Sequence, residues 1–240
     1  FWHTTKSRRR NVFVRSEVNT STADSYPSSN PFDQRGPFLL SLFMTLAGYS
    51  VLVALPAINR AWVDQLGFTE VEVNRVASAD LLGLFLGASA TAALIRKHSR
   101  QTLAYLGIVL AILGNALCTQ YVDYETTLGL RLLAGLGSGL YTAVAVAGLG
   151  ACTKPREAFN WMLFAFAISQ FLELQLIPHL TINEIYLFFI ATYVVTLPFV
   201  RIIPTVDVVS VELPEKLAEP QPRTRLAWIG IAAIVISYVY

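Results

Sequence analysis

Six apolar segments of about twenty residues dominate this sequence and restrict the folds that it can adopt. The segments span 37–58, 74–95, 102–121, 127–150, 158–178 and 184–203. A helix of about twenty apolar residues crosses the hydrocarbon core of a bilayer, and that core contains no water to satisfy an open backbone. Charged residues make up 14% of the chain, about half the share of soluble domains. The sequence therefore predicts an all-α membrane protein with a six-transmembrane-helix bundle.

The regions outside the six segments give the domain boundaries. Residues 1–36 are rich in serine, asparagine and arginine, which predicts a disordered tail. Residues 37–203 form the predicted bundle, and the proline-rich, charged stretch 204–225 is an expected interdomain linker. A further apolar run, 226–240, predicts the start of a seventh helix. Because the chain opens on Phe1 and stops within an apolar run, we expect it to be a fragment of a longer protein.

The start of the second helix has a local signal. Thr69 and Glu72 in the sequence TEVE have the spacing of a capping box. In this motif the two side chains satisfy two free amides at the helix end. The second helix is therefore expected to begin near Thr69.

The positions of lysine and arginine predict the orientation in the membrane. Fifteen of the eighteen basic residues lie in the tail, in the loops after the second and fourth segments, or in the stretch 201–225 that includes the linker. Only Arg60 and Arg75 lie on the other side. Cytoplasmic loops carry the excess of basic residues, so the N-terminus, the tail and the linker are predicted to be cytoplasmic. We expect a multi-pass protein of the cell membrane.

Three ionisable side chains fall well inside the apolar segments: Asp80, Arg131 and Glu173. At 1.5 Å of rise per residue, all three lie in the outer half of the bilayer, so they are predicted to meet in one cavity. One interpretation is structural: an ion pair, or side chains that extend to the outer interface. The other is functional, because a carboxyl group that is desolvated beside a cation can titrate near neutral pH and carry a proton.

Small and polar residues mark the helix faces that carry these charges. Asp80 shares one face of its helix with Gly83 and Gly87, and Arg131 shares a face with Gly135 and Ser138. Small residues four apart allow helix backbones to approach closely. The helix-packing candidates are Gly83, Gly87, Gly135 and Gly139. The candidates for lining a cavity are Thr45, Tyr49, Ser138, Thr142, Ser169 and Gln170.

Several other classes of protein lack support in the sequence. The histidines and the two cysteines have no metal-ligand spacing, and no nucleophile–base set is present, so we expect neither an enzyme nor a cofactor. A net charge of +2 is too small to indicate nucleic-acid binding. The expected partners are the lipid bilayer and a small-molecule substrate, with a proton as the coupling ion.

The stretch RLLAGLGSG, residues 131–139, resembles the helix-4 motif of the major facilitator superfamily, in which an arginine is followed by glycines at the fourth and eighth positions. Six helices, a cytoplasmic N-terminus and a long linker before a seventh helix extend the resemblance. It implies half of a twelve-helix transporter, with a missing C-terminal half and alternating access. It also implies that Arg131 takes part in proton coupling. The family signature of the loop after helix 2 is degenerate here, where the gating candidates are Arg96, Lys97 and Arg100.

The leading functional hypothesis is a secondary active transporter of a small organic solute, in the form of a proton-coupled symporter for an organic anion or similar metabolite. Asp80, Arg131 and Glu173 are the candidates for proton coupling or substrate binding. One alternative is a drug or metabolite efflux antiporter of the same superfamily, although segment 158–178 lacks the glycine-proline signature of that group. Further alternatives are a seven-helix receptor and a channel.

Overall fold

The computed structural model describes residues 30–205. Its helices are α1 (Arg35–Leu66), α2 (Glu70–Leu94), α3 (Arg100–Cys118), α4 (Tyr124–Gly150), α5 (Pro155–Leu176) and α6 (Ile182–Thr196). Short 3₁₀ segments extend α5 to His179 and α6 to Ile202. All six helices are long and apolar enough to cross a membrane, which suggests an integral multi-pass membrane protein. The predicted tail up to residue 29, most of the predicted linker and the expected start of a seventh helix lie outside the described residues.

Most of the helices begin at a residue whose side chain caps the free amides of the first turn. The predicted capping box of α2 is confirmed: the Thr69 amide donates to Glu72 at 2.8 Å, and the Glu72 amide donates to Thr69 Oγ1 at 3.3 Å. Thr181 and Glu184 repeat the motif at α6. Asp123 caps α4 by accepting from the Thr126 amide at 2.9 Å. These local contacts explain why the helices begin where they do.

Removal of the α2 cap is expected to lower the stability of the protein by a measurable amount. Thr69→Ala removes the hydroxyl group that accepts from the Glu72 amide, so we expect a loss of about 1 kcal/mol in the free energy of unfolding. Thr69→Ser keeps the hydroxyl group and should unfold like the unmodified protein. Unfolding midpoints of the two variants in detergent test this, and equal midpoints would contradict it.

Helix α1 is longer than predicted, because it continues for eight residues beyond the expected end at residue 58. Pro56 lies within the helix without ending it. Beyond Pro56, Trp62 is fully buried and its indole nitrogen donates to the Tyr186 hydroxyl group at 2.8 Å. The helix stops at Gly67, whose φ of 71° is a left-handed conformation that favours glycine. Packing at the outer end therefore extends α1 beyond its apolar run.

Contacts between the helix ends show how the bundle is arranged. At one end, Asn30 donates to the Ala151 carbonyl at 2.8 Å, and Gln101 donates to the Ile203 carbonyl at 2.8 Å. At the other end, the Ile182 amide donates to the Gln65 side chain at 2.9 Å. Successive helices therefore run in opposite directions. The end that holds Asn30 and Gln101 is the one to which the charge pattern assigns a cytoplasmic position, and we call it the inner end.

Helix α4 is the centre of the bundle and packs closely on α2 and α3. A Cβ atom at Gly135 or Gly139 would collide with the carbonyl oxygen of Asp80 or Leu84 on α2. On the α3 side, a Cβ atom at Gly137 would lie 2.6 Å from the Gly107 carbonyl oxygen. Glycines on two faces of α4 thus allow close backbone contact with two neighbours.

Helix α5 makes much weaker contact with the rest of the bundle. Only Ala158 and Glu173 are buried among its 22 residues. The exposed apolar side chains on α5 include Trp161, Leu163, Phe164, Ile168, Phe171 and Leu172. Such an apolar surface is expected where a helix faces lipid or another transmembrane segment.

Candidate functional site

Arg131 and Asp80 form an ion pair in the interior of the bundle. The Arg131 Nε atom lies 3.1 Å from Asp80 Oδ2, and Nη2 also donates to this oxygen. The two residues are only 1% and 3% exposed. Charge-assisted contacts from two nitrogens of one guanidinium group are among the stronger hydrogen bonds in proteins. The sequence left two structural interpretations of Arg131. The ion pair is observed, whereas the prediction that its side chain extends to the outer interface is wrong.

Other helices complete the surroundings of the Arg131 guanidinium group. Its Nη1 atom donates to Asn115 Oδ1 on α3 at 2.8 Å. Its Cζ atom lies 5.6 Å from the ring centroid of Tyr186 on α6, a favourable cation–π geometry. The Tyr186 hydroxyl group in turn accepts from Trp62 on α1. One network therefore connects α1, α2, α3, α4 and α6.

Glu173 lies in a separate polar group between α1 and α5. Its Oε2 atom accepts from the Ser50 hydroxyl group at 3.0 Å, and Oε1 accepts from Ser169 at 2.8 Å. The residue is 7% exposed. No lysine, arginine or histidine within residues 30–205 forms an ion pair with this carboxyl group.

The structure thus brings together two of the three ionisable residues that the sequence placed at one depth. Asp80 and Arg131 are in contact, whereas no hydrogen bond or ion pair in the described part of the chain joins Glu173 to either of them. The expected single cavity with all three charges is not observed. Similar depth does not ensure contact, because α5 approaches the bundle mainly along α1.

A groove between α1, α2 and α4 lies beside some of the predicted cavity residues. Its volume is about 310 Å³, and Tyr49 and Thr142 are among the residues that line it. Thr45 and Ser138 do not line it. Both are buried, and they donate to the carbonyl groups of Ser41 and Gly48. Of the remaining candidates for lining a cavity, Ser169 donates a hydrogen bond to Glu173, and Gln170 is exposed on α5.

The basic residues of the α2–α3 loop lie at the inner end. Arg96 and Lys97 are exposed. The Arg100 guanidinium group lies 4.7 Å from the ring centroid of Phe32, next to the start of α1. Arg100 is the first residue of α3, so the start of α3 contacts the segment that precedes α1. A gating role for Arg96, Lys97 and Arg100 stays a prediction.

Several residues of the network around Arg131 and of the polar group around Glu173 were not identified as site residues from the sequence. Ser50 is far from Glu173 along the chain, and Trp62 and Tyr186 lie on different helices. Asn115 has the clearest signal, since a lone amide within an apolar segment usually makes an interhelical hydrogen bond. No group of three or more potential metal ligands occurs in the described range 30–205. The sequence matches no protein-family model and no curated protein.

Proposed function

We propose that this chain forms part of a secondary active transporter that moves a small organic solute across the membrane together with a proton. In this proposal Glu173 carries the proton. The observation behind it is a carboxyl group that is buried within a candidate membrane span, with only hydroxyl groups as its partners among the described residues.

Proton exchange is the simplest chemistry available to Glu173. An ionised carboxylate without a cation is costly in a hydrocarbon environment, so ionisation requires access to water. The hydroxyl groups of Ser50 and Ser169 both donate and accept hydrogen bonds, and therefore suit either protonation state. Proton-coupled transport requires a group that gains or loses a proton as its access to water changes.

The helix arrangement supports the same proposal. Six antiparallel helices, with Arg131, Gly135 and Gly139 at the positions of the helix-4 motif, are compatible with one half of a transporter of the major facilitator type. In such a transporter two halves move around a central site. The complementary half would come from sequence beyond this chain.

For Asp80 and Arg131 we propose a positioning role. Their closed network holds α2 and α4 together and keeps both charges away from lipid. Direct contact of Arg131 with an anionic substrate stays a prediction, and it requires the ion pair to open. The proton-coupling role is accordingly proposed for Glu173 first.

Glu173→Gln tests this proposal in the complete gene product. Proteoliposomes are screened with labelled organic acids and neutral solutes, with and without an imposed pH gradient. Glutamine keeps one acceptor oxygen and has an NH2 donor in place of the other oxygen, so it can still pair with Ser50 and Ser169, but it carries no acidic proton. We expect the variant to lose accumulation driven by the pH gradient and to keep solute exchange at equal pH.

Glu184→Gln is the matched control, because Glu184 is an exposed residue of the α6 capping box and glutamine serves equally well there. This variant should transport like the unmodified protein. Unchanged dependence on the pH gradient in Glu173→Gln would refute the coupling role.

A further inference from the structure

A second groove lies at the inner end of the bundle, between the start of α1 and the end of α6 with its 3₁₀ extension. Every residue that lines it is glycine or apolar, and the side chains include Leu39, Leu40, Phe43, Val195, Phe199 and Ile202. Its volume is about 390 Å³, which is within the range for small-molecule sites. Leu39 and Val195 are 61% and 55% exposed, so these walls face lipid or another part of the protein.

The charge-free part of α6 and its extension gives the depth of this groove in the membrane. Residues 185–200 contain no charged residue and are flanked by Glu184 and Arg201. At 1.5 Å per residue this stretch covers about 24 Å, and the flanking side chains extend toward the two interfaces of a hydrocarbon core about 30 Å thick. Arg201 therefore lies at the inner boundary of the core, and Val195 and Phe199 lie at the depth of the acyl chains.

Two arginines flank the inner end of the groove. Arg201 precedes Ile202, and Arg35 precedes Gly36 at the start of α1. The two chain segments are in contact, since a Cβ atom at Gly36 would lie 3.4 Å from Ile202 Cγ2, so the two arginines lie at a similar depth. Both are exposed, and no acidic residue within residues 30–205 forms an ion pair with either of them. The apolar groove thus meets the membrane surface beside two cations.

A ligand that suits both the groove and the arginines combines a long apolar chain with a negative charge at one end. Guanidinium groups bind phosphate through two parallel hydrogen bonds, and anionic lipid headgroups attract basic residues at the cytoplasmic membrane surface. A zwitterionic phospholipid is a poorer match, because the cation of its headgroup would lie near the two arginines. Charge complementarity therefore favours an anionic phospholipid.

The apolar residues 226–240 of this chain are a less suitable occupant of the groove. They contain no acidic residue, and Arg223 and Arg225 closely precede them in the sequence. Their docking would bring further positive charge toward Arg35 and Arg201, and like charges repel one another. The charges thus favour a lipid over this segment.

We propose that this groove binds an anionic phospholipid from the leaflet at the inner end of the bundle. One acyl chain lies along the apolar walls, and the headgroup phosphate lies between Arg35 and Arg201. The bound lipid bridges the start of α1 and the end of α6. This binding site is independent of the proposed transport function, because it involves neither Glu173 nor the network around Arg131.

Photo-crosslinking in vesicles tests the proposal directly. The complete gene product is reconstituted into phosphatidylcholine vesicles with a trace of phosphatidylglycerol or phosphatidylcholine that carries a diazirine on one acyl chain. After illumination, mass spectrometry of chymotryptic peptides measures the crosslinks to residues 36–43 and 195–202. We expect phosphatidylglycerol to exceed phosphatidylcholine in crosslinking yield by roughly fivefold or more, since one arginine near an anionic headgroup has an effect of this size.

Variants of the two arginines assign the lipid preference to this groove. Combined Arg35→Gln and Arg201→Gln should lower the yield from phosphatidylglycerol to that from phosphatidylcholine. Combined Arg35→Lys and Arg201→Lys keeps both charges and should keep most of the preference. Arg156→Gln is the matched control, because Arg156 is an exposed basic residue at the inner end on α5, which contributes no residue to the groove. This control should leave the yield unchanged.

Three results would overturn the proposal. Equal yields from the two lipids in the unmodified protein would show that the groove contacts lipid without selecting the headgroup. Absence of crosslinks from both lipids would show that a segment of protein, such as residues 226–240, covers the groove. A preference for phosphatidylglycerol that survives the double glutamine variant, or that Arg156→Gln lowers equally, would assign it to the general positive charge of the inner end.

Discussion

Asp80→Asn is expected to lower the free energy of unfolding by about 3–5 kcal/mol, which is the usual cost of removing one partner from a buried ion pair. The substitution leaves the Arg131 cation buried without a counter-charge, with only neutral amide acceptors, at Asn115 and at position 80. Replacing both Asp80 and Arg131 by leucine should cost less than Asp80→Asn, because a neutral apolar pair leaves no charge unpaired. Thermal and denaturant unfolding of the purified protein in detergent measures both effects.

The exposed pair Arg60–Asp64 provides the matched control. It is also an arginine–carboxylate pair, with an Nε–Oδ2 distance of 3.1 Å, but its side chains are 83% and 57% exposed. Asp64→Asn should therefore cost at most about 1 kcal/mol. If Asp80→Asn proves as mild as Asp64→Asn, the network around Arg131 does not hold the helices together.

Gly135→Ala is expected to destabilise the bundle by about 1–3 kcal/mol or more, through overpacking. The added methyl group would collide with the Asp80 backbone carbonyl oxygen on α2. A backbone atom within a helix cannot rotate away as a side chain can, so α2 and α4 must move apart. The same movement would disturb the ion pair one turn away. Unfolding midpoints in detergent measure this loss.

Gly129 is the control within the same helix. Among residues 30–205, no atom lies within 4 Å of the position that a Cβ atom would take here. Gly129→Ala should be neutral or stabilise the protein by up to about 1 kcal/mol, because alanine has the higher helix propensity. If Gly129→Ala and Gly135→Ala had equal effects, the glycines would not be needed for close packing of the helices.

Local signals account for what could be predicted of the fold. The capping box at Thr69 involves partners three residues apart, so the start of α2 was readable without tertiary information. The end of α1 was not, because an apolar run indicates the length that crosses hydrocarbon and not the length of the helix. Burial of Trp62 against Tyr186 carries α1 further, and that contact joins residues far apart in the chain.

The candidate site, like the fold, could be predicted only in part from the sequence. The regular rise of a helix gave Asp80, Arg131 and Glu173 similar depths, and the structure pairs the first two. Which helix each side chain faces depends on how the helices pack around one another. For this reason neither the contact between Glu173 and Ser50 nor the separation of Glu173 from Arg131 could be read from the pattern.

The length of α1 has a practical consequence. Its 32 residues span about 48 Å, whereas the hydrocarbon core needs about 30 Å. The last turns carry the exposed residues Arg60 and Asp64 and are held by Gln65 against the start of α6, so the extra length of α1 is accommodated within the bundle, as in a tilted helix. An antibody fragment raised against this end would bind a well-packed, charged epitope, and it would provide a fiducial for imaging this membrane protein.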